Sequence, residues 1–224
     1  MKKTFNILII GLLLAVITSC GKDNFDEPGA ILKGKIVYNG QQIQVRGTGE
    51  AIQLQLYQDG YALKDPINVF VGQDGTFSAA LFNGEYKLVM RENNGPWVYS
   101  RDALVVNVKG TTEMELNVTP FFTISDENIS ISGSSVNASF TINQIVNTAH
   151  VEKIYLILSK TQFADEVNNI YRKDISDVGV GQVNVSGDFG DNKDVTNAKF
   201  IYGRVGVKTN GTEQAIWSPV VKLK

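Results

Sequence analysis

The chain predicts an all-β protein built as two β-sandwich domains in tandem, and three observations carry this. Apolar and polar residues alternate at a period of two in segment after segment, as Ile52, Leu54 and Leu56 do against Gln53, Gln55 and Tyr57. Turn dipeptides such as Asn39-Gly40, Asp59-Gly60 and Asp74-Gly75 punctuate these segments, while long stretches of 3.6-residue period are nearly absent. The length of 224 residues suits one or two domains at about 100–200 residues each.

Met1–Ser19 reads as a secretion leader. Lys2 and Lys3 supply its positive end, and Phe5–Ile17 its apolar core. That core falls short of the ~20 apolar residues a membrane-spanning helix needs. Ile17-Thr18-Ser19-Cys20 has the form of a bacterial lipobox, in which a small residue precedes the cleavage point and the cysteine thiol takes a diacylglycerol. The competing reading is an ordinary signal peptide with a chance cysteine. Cys20 is the single cysteine, so no internal disulfide can form, and lipidation leaves no odd thiol to explain. Two or more acyl chains anchor a protein stably without spanning the bilayer. Residues 20–28 read as an acidic, aperiodic tether. Its Lys22 followed by acidic residues resembles the surface-export signal of Bacteroidetes lipoproteins, which implies the outer membrane, lipid-anchored and facing the cell exterior.

Loss of Lys2 and Lys3 with the leader leaves 19 Lys+Arg against 23 Asp+Glu, a net charge of about −4. There is no basic excess to gather a phosphate backbone, so nucleic acid is not an expected partner.

The first domain is placed at residues 29–119. Ile31–Tyr38 is its first strand, with Leu32, Gly34 and Ile36 on one face, and Gln41–Glu50 reads as a loop. Ala51–Gln58 is the clearest strand, and Ile67–Val71 a further extended piece. Phe77, Ala79 and Leu81 share a face, as do Tyr86, Leu88 and Met90. With Asp74-Gly75 and Asn83-Gly84 read as positive-φ turns, this predicts a hairpin. The pattern D-G-x-F-x-x-x-L-x-x-G-x-Y-x-L over residues 74–88 resembles the core of carboxypeptidase regulatory-like, or prealbumin-like, sandwiches, which are usually non-catalytic. Leu104, Val106 and Val108 form the next strand face, Lys109-Gly110 turns, and Met114, Leu116 and Val118 close the domain at Thr119-Pro120.

The second domain is placed at residues 120–224. Phe121–Ile124 leads in, Asn128–Ser132 reads as a short edge strand, and Val136, Ala138, Phe140 and Ile142 line the next. Ile154, Leu156 and Leu158 oppose Tyr155 and Ile157, a strand buried on both faces. Thr161–Ile170 is expected to hold a short helical turn, Val178–Val185 a strand, and Gly187–Asn197 a polar loop. Tyr202-Gly203-Arg204-Val205, then Trp217-Ser218-Pro219-Val220, resembles the last hairpin of a fibronectin type III domain, and the strand count fits an immunoglobulin-like sandwich.

Lipobox, Lys22-Asp23-Asn24-Phe25 tether, prealbumin-like domain, Pro120-Phe121 junction and immunoglobulin-like domain together resemble a Bacteroidetes lipoprotein family, domain of unknown function 3823, over essentially the whole mature chain. The resemblance implies a cell-surface accessory to a starch-utilisation-type uptake system, with polysaccharide or a SusC/SusD-type complex as partner. It supplies no catalytic or binding residues.

The residues themselves argue against enzyme chemistry. His150 is the only histidine and sits in no motif, and no cysteine remains as a nucleophile or to build a zinc site. No cofactor is expected. Asp188, Asp191 and Asp194 recur at three-residue spacing, a weak calcium candidate without the EF-hand pattern. Glycan binding uses aromatic platforms with polar neighbours. Trp97 and Tyr99 beside the Asn93-Asn94-Gly95 loop, with Arg91 and Asp102, are the candidate set, against a Trp97 that plugs the core. Trp217 is expected in the core or at the domain interface. Five N-x-[ST] sequons, at Asn117, Asn128, Asn137, Asn184 and Asn210, carry little meaning in a bacterial host. The expected function is a lipid-anchored glycan or nutrient binder. The alternative is a structural or adhesive module for protein contacts.

Overall fold

A computed structural model describes residues 26–60 and 65–224. Cys20, the leader and most of the tether lie outside the described residues. Among the described residues no helix is long and apolar enough to cross a membrane.

The first domain packs two sheets face to face. One is built on β1 (Ala30–Tyr38), which pairs antiparallel with β2 (Gln41–Gln42) and β5 (Thr76–Leu81), and parallel with β8 (Thr111–Asn117). The other runs β4 (Ile67–Phe70), β3 (Gln53–Tyr57), β6 (Gly84–Met90), β7 (Leu104–Val108). Leu32, Ile36, Leu54, Leu56, Tyr86 and Leu88 bury the faces that their alternation assigns to the core. Asn39 and Gly40 both have positive φ, as a two-residue hairpin turn between β1 and β2 requires.

The predicted hairpin of residues 77–90 is not one. β5 pairs with β1, and β6 with β3 and β7, so the chain crosses from one sheet to the other at Phe82-Asn83. Asn83 and Gly84 do not have positive φ. Asn83 Oδ1 instead accepts from the Gly110 N–H at 2.8 Å, and the Tyr86 hydroxyl donates to the Phe82 carbonyl at 3.0 Å. Phe77 and Leu81 therefore meet Tyr86 and Leu88 across the core instead of alongside them.

The second domain packs a three-stranded sheet on a five-stranded one. β9 (Phe122–Ser132), β10 (Ser135–Gln144) and β13 (Gly181–Asp188) form one sheet. β12 (Tyr171–Ile175), β11 (Val151–Ser159), β14 (Tyr202–Thr209), then β15 (Ala215–Trp217) and β16 (Val221–Lys222), form the other. This order is the fibronectin type III arrangement. Residues 122–132 make one long edge strand instead of a lead-in and a short strand, because a bulge at Asp126, with positive φ, absorbs the irregular pattern. Thr161–Ile170 carries no helix. Among the described residues the single short helix, α1 (Lys193–Thr196), lies inside the expected polar loop, capped by Asn192, whose side chain accepts from Asp194 N and Val195 N. Pro219 interrupts the last strand and splits it into β15 and β16. Most buried apolar residues of both domains form one contiguous cluster, and Tyr155, Ile157, Ala164, Ala215 and Trp217 form a second on the outer face of β11.

Candidate functional site

The two domains are joined by paired backbone as well as by chain. The Phe121 N–H donates to the Pro96 carbonyl at 3.2 Å, beside the bond within the first domain from the Val98 N–H to the Thr119 carbonyl at 2.8 Å. Across the joint, the Thr48 hydroxyl donates to Asp165 Oδ2 at 2.7 Å, and Arg46 Nη1 lies 3.2 Å from Glu166 Oε1. Segment 161–170, where a short helical turn is expected, supplies these acids and covers the outer face of β11, with Ala164 packed on Tyr155 and Ile157.

That covered face explains why β11 is buried on both sides. Tyr155, Gly206 and Trp217 lie in one cross-strand row. Gly206 has no side chain, so the rings on either side lean over it and stack at 5.6 Å and 10°. Arg204 lies 5.1 Å from the Trp217 ring, and Arg172 lies 5.0 Å from that of Tyr155, which places a cation at each end of the stack. Arg204 is fully buried. Its Nε donates to the Ser218 carbonyl at 2.7 Å, Nη1 to that of Ala164 at 3.3 Å, and Nη2 to that of Gln73, in the first domain, at 3.4 Å. Burial pulls its pKa down to about 9, while the nearby carboxylates of Asp165 and Glu166 push it up. Burial raises the Tyr155 phenol to about 12, and Glu166 adds to the rise.

Beside this joint a cleft of about 540 Å³ opens between the β1–β2 turn and the edge of the second domain. Tyr38, Asn39, Gln41, Gln42 and Gln44 line it from the first domain. Thr123, Ser125 and Glu127 of β9, with Trp217 and Pro219, line it from the second. The Trp217 backbone N–H donates to the Gln44 carbonyl at 3.1 Å and ties the two walls together. The indole is only 2% exposed, and its Nε1–H makes no hydrogen bond within the protein. Apart from Glu127 and the Tyr38 phenol, the lining groups do not titrate. The polar members of the lining are amides and hydroxyls, able both to donate and to accept, and Ile43, Ile124 and Ile216 add apolar surface between them. Gln42 Nε2 already bonds the Asp74 carbonyl.

The residues singled out from sequence fare differently. Trp97 is 5% exposed, bridges to Pro120 and packs over Gly95, so its ring offers no platform. Tyr99 is half-buried. Arg91 is exposed and donates to Gln53 Oε1 at 2.9 Å, and Asp102 accepts from the Ser100 hydroxyl at 3.1 Å. Nothing links Arg91, Tyr99 and Asp102 directly. Asp188, Asp191 and Asp194 do not converge: Asp188 accepts from the Gly190 N–H, and Asp194 pairs with Lys160 at 2.7 Å. Among the described residues no group of three or more His, Cys, Asp or Glu is placed to hold a metal. His150 is exposed, and its carbonyl accepts from Asn210 N–H. Sequence reasoning missed the cleft because Gln41–Gln44 read as loop. The one available signal was Trp217, expected at the core or the interface.

Comparison with known proteins follows the same division. Residues 30–119 match the model of the "Protein of unknown function (DUF3823) N-terminal domain", and residues 122–222 that of the "Domain of unknown function (DUF3823_C)". A DUF3823 family protein from Parabacteroides merdae has a crystal structure with a TM-score of 0.86 at 58% identity, covering 89% of this chain and 100% of that one. One from Bacteroides ovatus gives 0.78 at 32% identity, over 87% and 98%. A Bacteroides uniformis protein, provisionally described as carbohydrate-binding, gives 0.74 at 17% identity over 88% and 99%, a likeness of fold. No curated protein matches the chain in sequence. With both halves matched in order and a 58% identical relative aligned along its whole length, the chain belongs to the DUF3823 family.

Proposed function

We propose that this protein is a lipid-anchored, surface-exposed glycan-binding accessory, and that it takes its ligand in the cleft between its domains. The observation that carries this reading is the lining itself. A run of amides and hydroxyls, Asn39, Gln41, Gln42, Gln44, Thr123 and Ser125, with the single carboxylate of Glu127 and apolar patches at Ile43, Ile124 and Ile216, matches the mixed donors, acceptors and apolar faces of a sugar. The volume lies in the range of small-ligand sites. The Bacteroides uniformis relative, similar in fold, lends support by its provisional description. Held at the outer membrane through Cys20, such a binder serves an uptake complex of the SusC/SusD type by keeping glycan near the transporter.

The test is affinity electrophoresis of residues 21–224 through neutral polysaccharide gels, followed by calorimetry on the oligosaccharides of any that retard it. A Gln41→Ala/Gln44→Ala variant removes two hydrogen-bonding side chains, and at about 0.5–1.5 kcal/mol each binding should weaken about tenfold with an unchanged melting temperature. Retention of full affinity by that variant, with loss in Arg91→Ala/Tyr99→Ala, would move the site to the Trp97 loop and end the cleft reading.

A further inference from the structure

The first domain has two ends, and β1 runs from one to the other. The end near Tyr38 carries the cleft. The opposite end gathers the start of β1, the Phe82-Asn83 crossing and the Lys109-Gly110 link, and the tether enters there. Three exposed apolar side chains lie at this end, Ile31 at 39% exposed, Ile67 at 42% and Phe82 at 49%, while Phe70, Val98, Leu104 and Val105 are also exposed on this domain. Ile67 and Phe82, with Pro28 of the tether, edge an open groove of about 320 Å³ floored by Leu56, Leu81 and Tyr86, with Gln58 and Asp65 as its polar members. Phe82 is held outward by a fixed corner. The Tyr86 hydroxyl bonds its carbonyl, and Asn83 next to it is tied to Gly110. Among the described residues, other exposed phenylalanine rings are Phe70 on the first domain and Phe163 and Phe200 on the second. Phe200 has the Lys199 and Lys222 ammonium groups 5.4 and 5.0 Å from its centre, and Phe163 borders the joint.

We infer that this tether-bearing end lies on the bilayer that holds Cys20, with Phe82, Ile67 and Ile31 seated at the boundary between headgroups and acyl chains. The inference rests on the reading of Cys20 as the lipid-bearing residue. Nine residues, 21–29, separate that cysteine from β1. Fully extended at about 3.3–3.6 Å per residue, they let the end of the domain stray no further than about 35 Å from the surface. A patch kept that close meets the bilayer continually, and burial of its apolar area in the interfacial zone is favourable. The lipid supplies the attachment, and the patch sets the orientation, which turns the cleft away from the membrane.

The single thiol makes the test direct. Residues 20–224 are coupled through Cys20 to a maleimide lipid in phosphatidylethanolamine/phosphatidylglycerol vesicles, and side-chain oxidation by hydroxyl radicals is read by mass spectrometry. Against the same chain free in solution, Phe82 and Ile67 should be protected several-fold, while Phe200 and Phe163 stay equally reactive. Phe82→Asp should abolish the protection at Ile67 as well. Unchanged reactivity at Phe82, or equal protection at Phe200, overturns the inference. Because the lipid is attached chemically, this outcome does not depend on what the cell does to Cys20. That is read separately by metabolic labelling with a radioactive fatty acid, where absence of label would sink the anchor and leave the footprint standing.

Discussion

Gly206 matters because of what it lacks. With no side chain between them, Tyr155 and Trp217 reach across its strand and stack, and the two arginines close the ends. A Cβ at this position would lie 2.8 Å from the Trp217 ring. Gly34 does the same for Phe77, its cross-strand partner, whose ring would meet a Cβ at 2.1 Å. In the sequence, Gly34 reads only as one more position on a buried face, since nothing local says which ring covers it. The stack also writes itself into the pH dependence of stability. Tyr155 has a folded pKa of about 12, above its ordinary value of 10, so the folded state holds that proton more tightly. Its contribution is intact below pH 10 and fades as pH rises towards 12. Urea unfolding of Tyr155→Phe between pH 9 and 12 should therefore show a shallower alkaline loss of stability than the parent chain.

Strands with one wet face were the most legible elements. β1, β3, β7 and β10 follow the alternation because their core face is apolar and their other face is solvent. Three failures have physical causes. Period-two patterning says which face is buried but not which strand is the neighbour, so a sheet-to-sheet crossing at Asn83 looked like a hairpin. Residues 122–132 broke their pattern at a bulge, which sequence reads as an end. The helix went unseen in a polar loop because four residues are too few to show a period. That helix rests on Asn192, which caps it and also donates through Nδ2 to the Ile170 carbonyl at 3.1 Å. Asn192→Ala removes both, and should cost about 1–2 kcal/mol in chemical denaturation.

At the scale of the molecule, the cleft exists only because two domains are fixed to one another, and no single stretch of sequence could disclose it. The fixing is shared among paired backbone at Thr119-Pro120, the buried Arg204 and the Arg46–Glu166 and Thr48–Asp165 contacts. The parent chain should melt in one calorimetric transition. Arg46→Ala/Thr48→Ala should broaden it or split it into two, as each domain unfolds on its own terms. One further consequence follows from the parallel pairing of β1 with β8. The chain enters the first domain at the start of β1 and leaves it at the end of β8, so any pull between tether and second domain draws these neighbours in opposite directions along their shared axis. Seven register pairs, Ile31 with Thr111 through Val37 with Asn117, then bear the load together instead of opening one after another. Such a pull would load the first domain as a shear joint, through the one parallel contact of an otherwise antiparallel sheet.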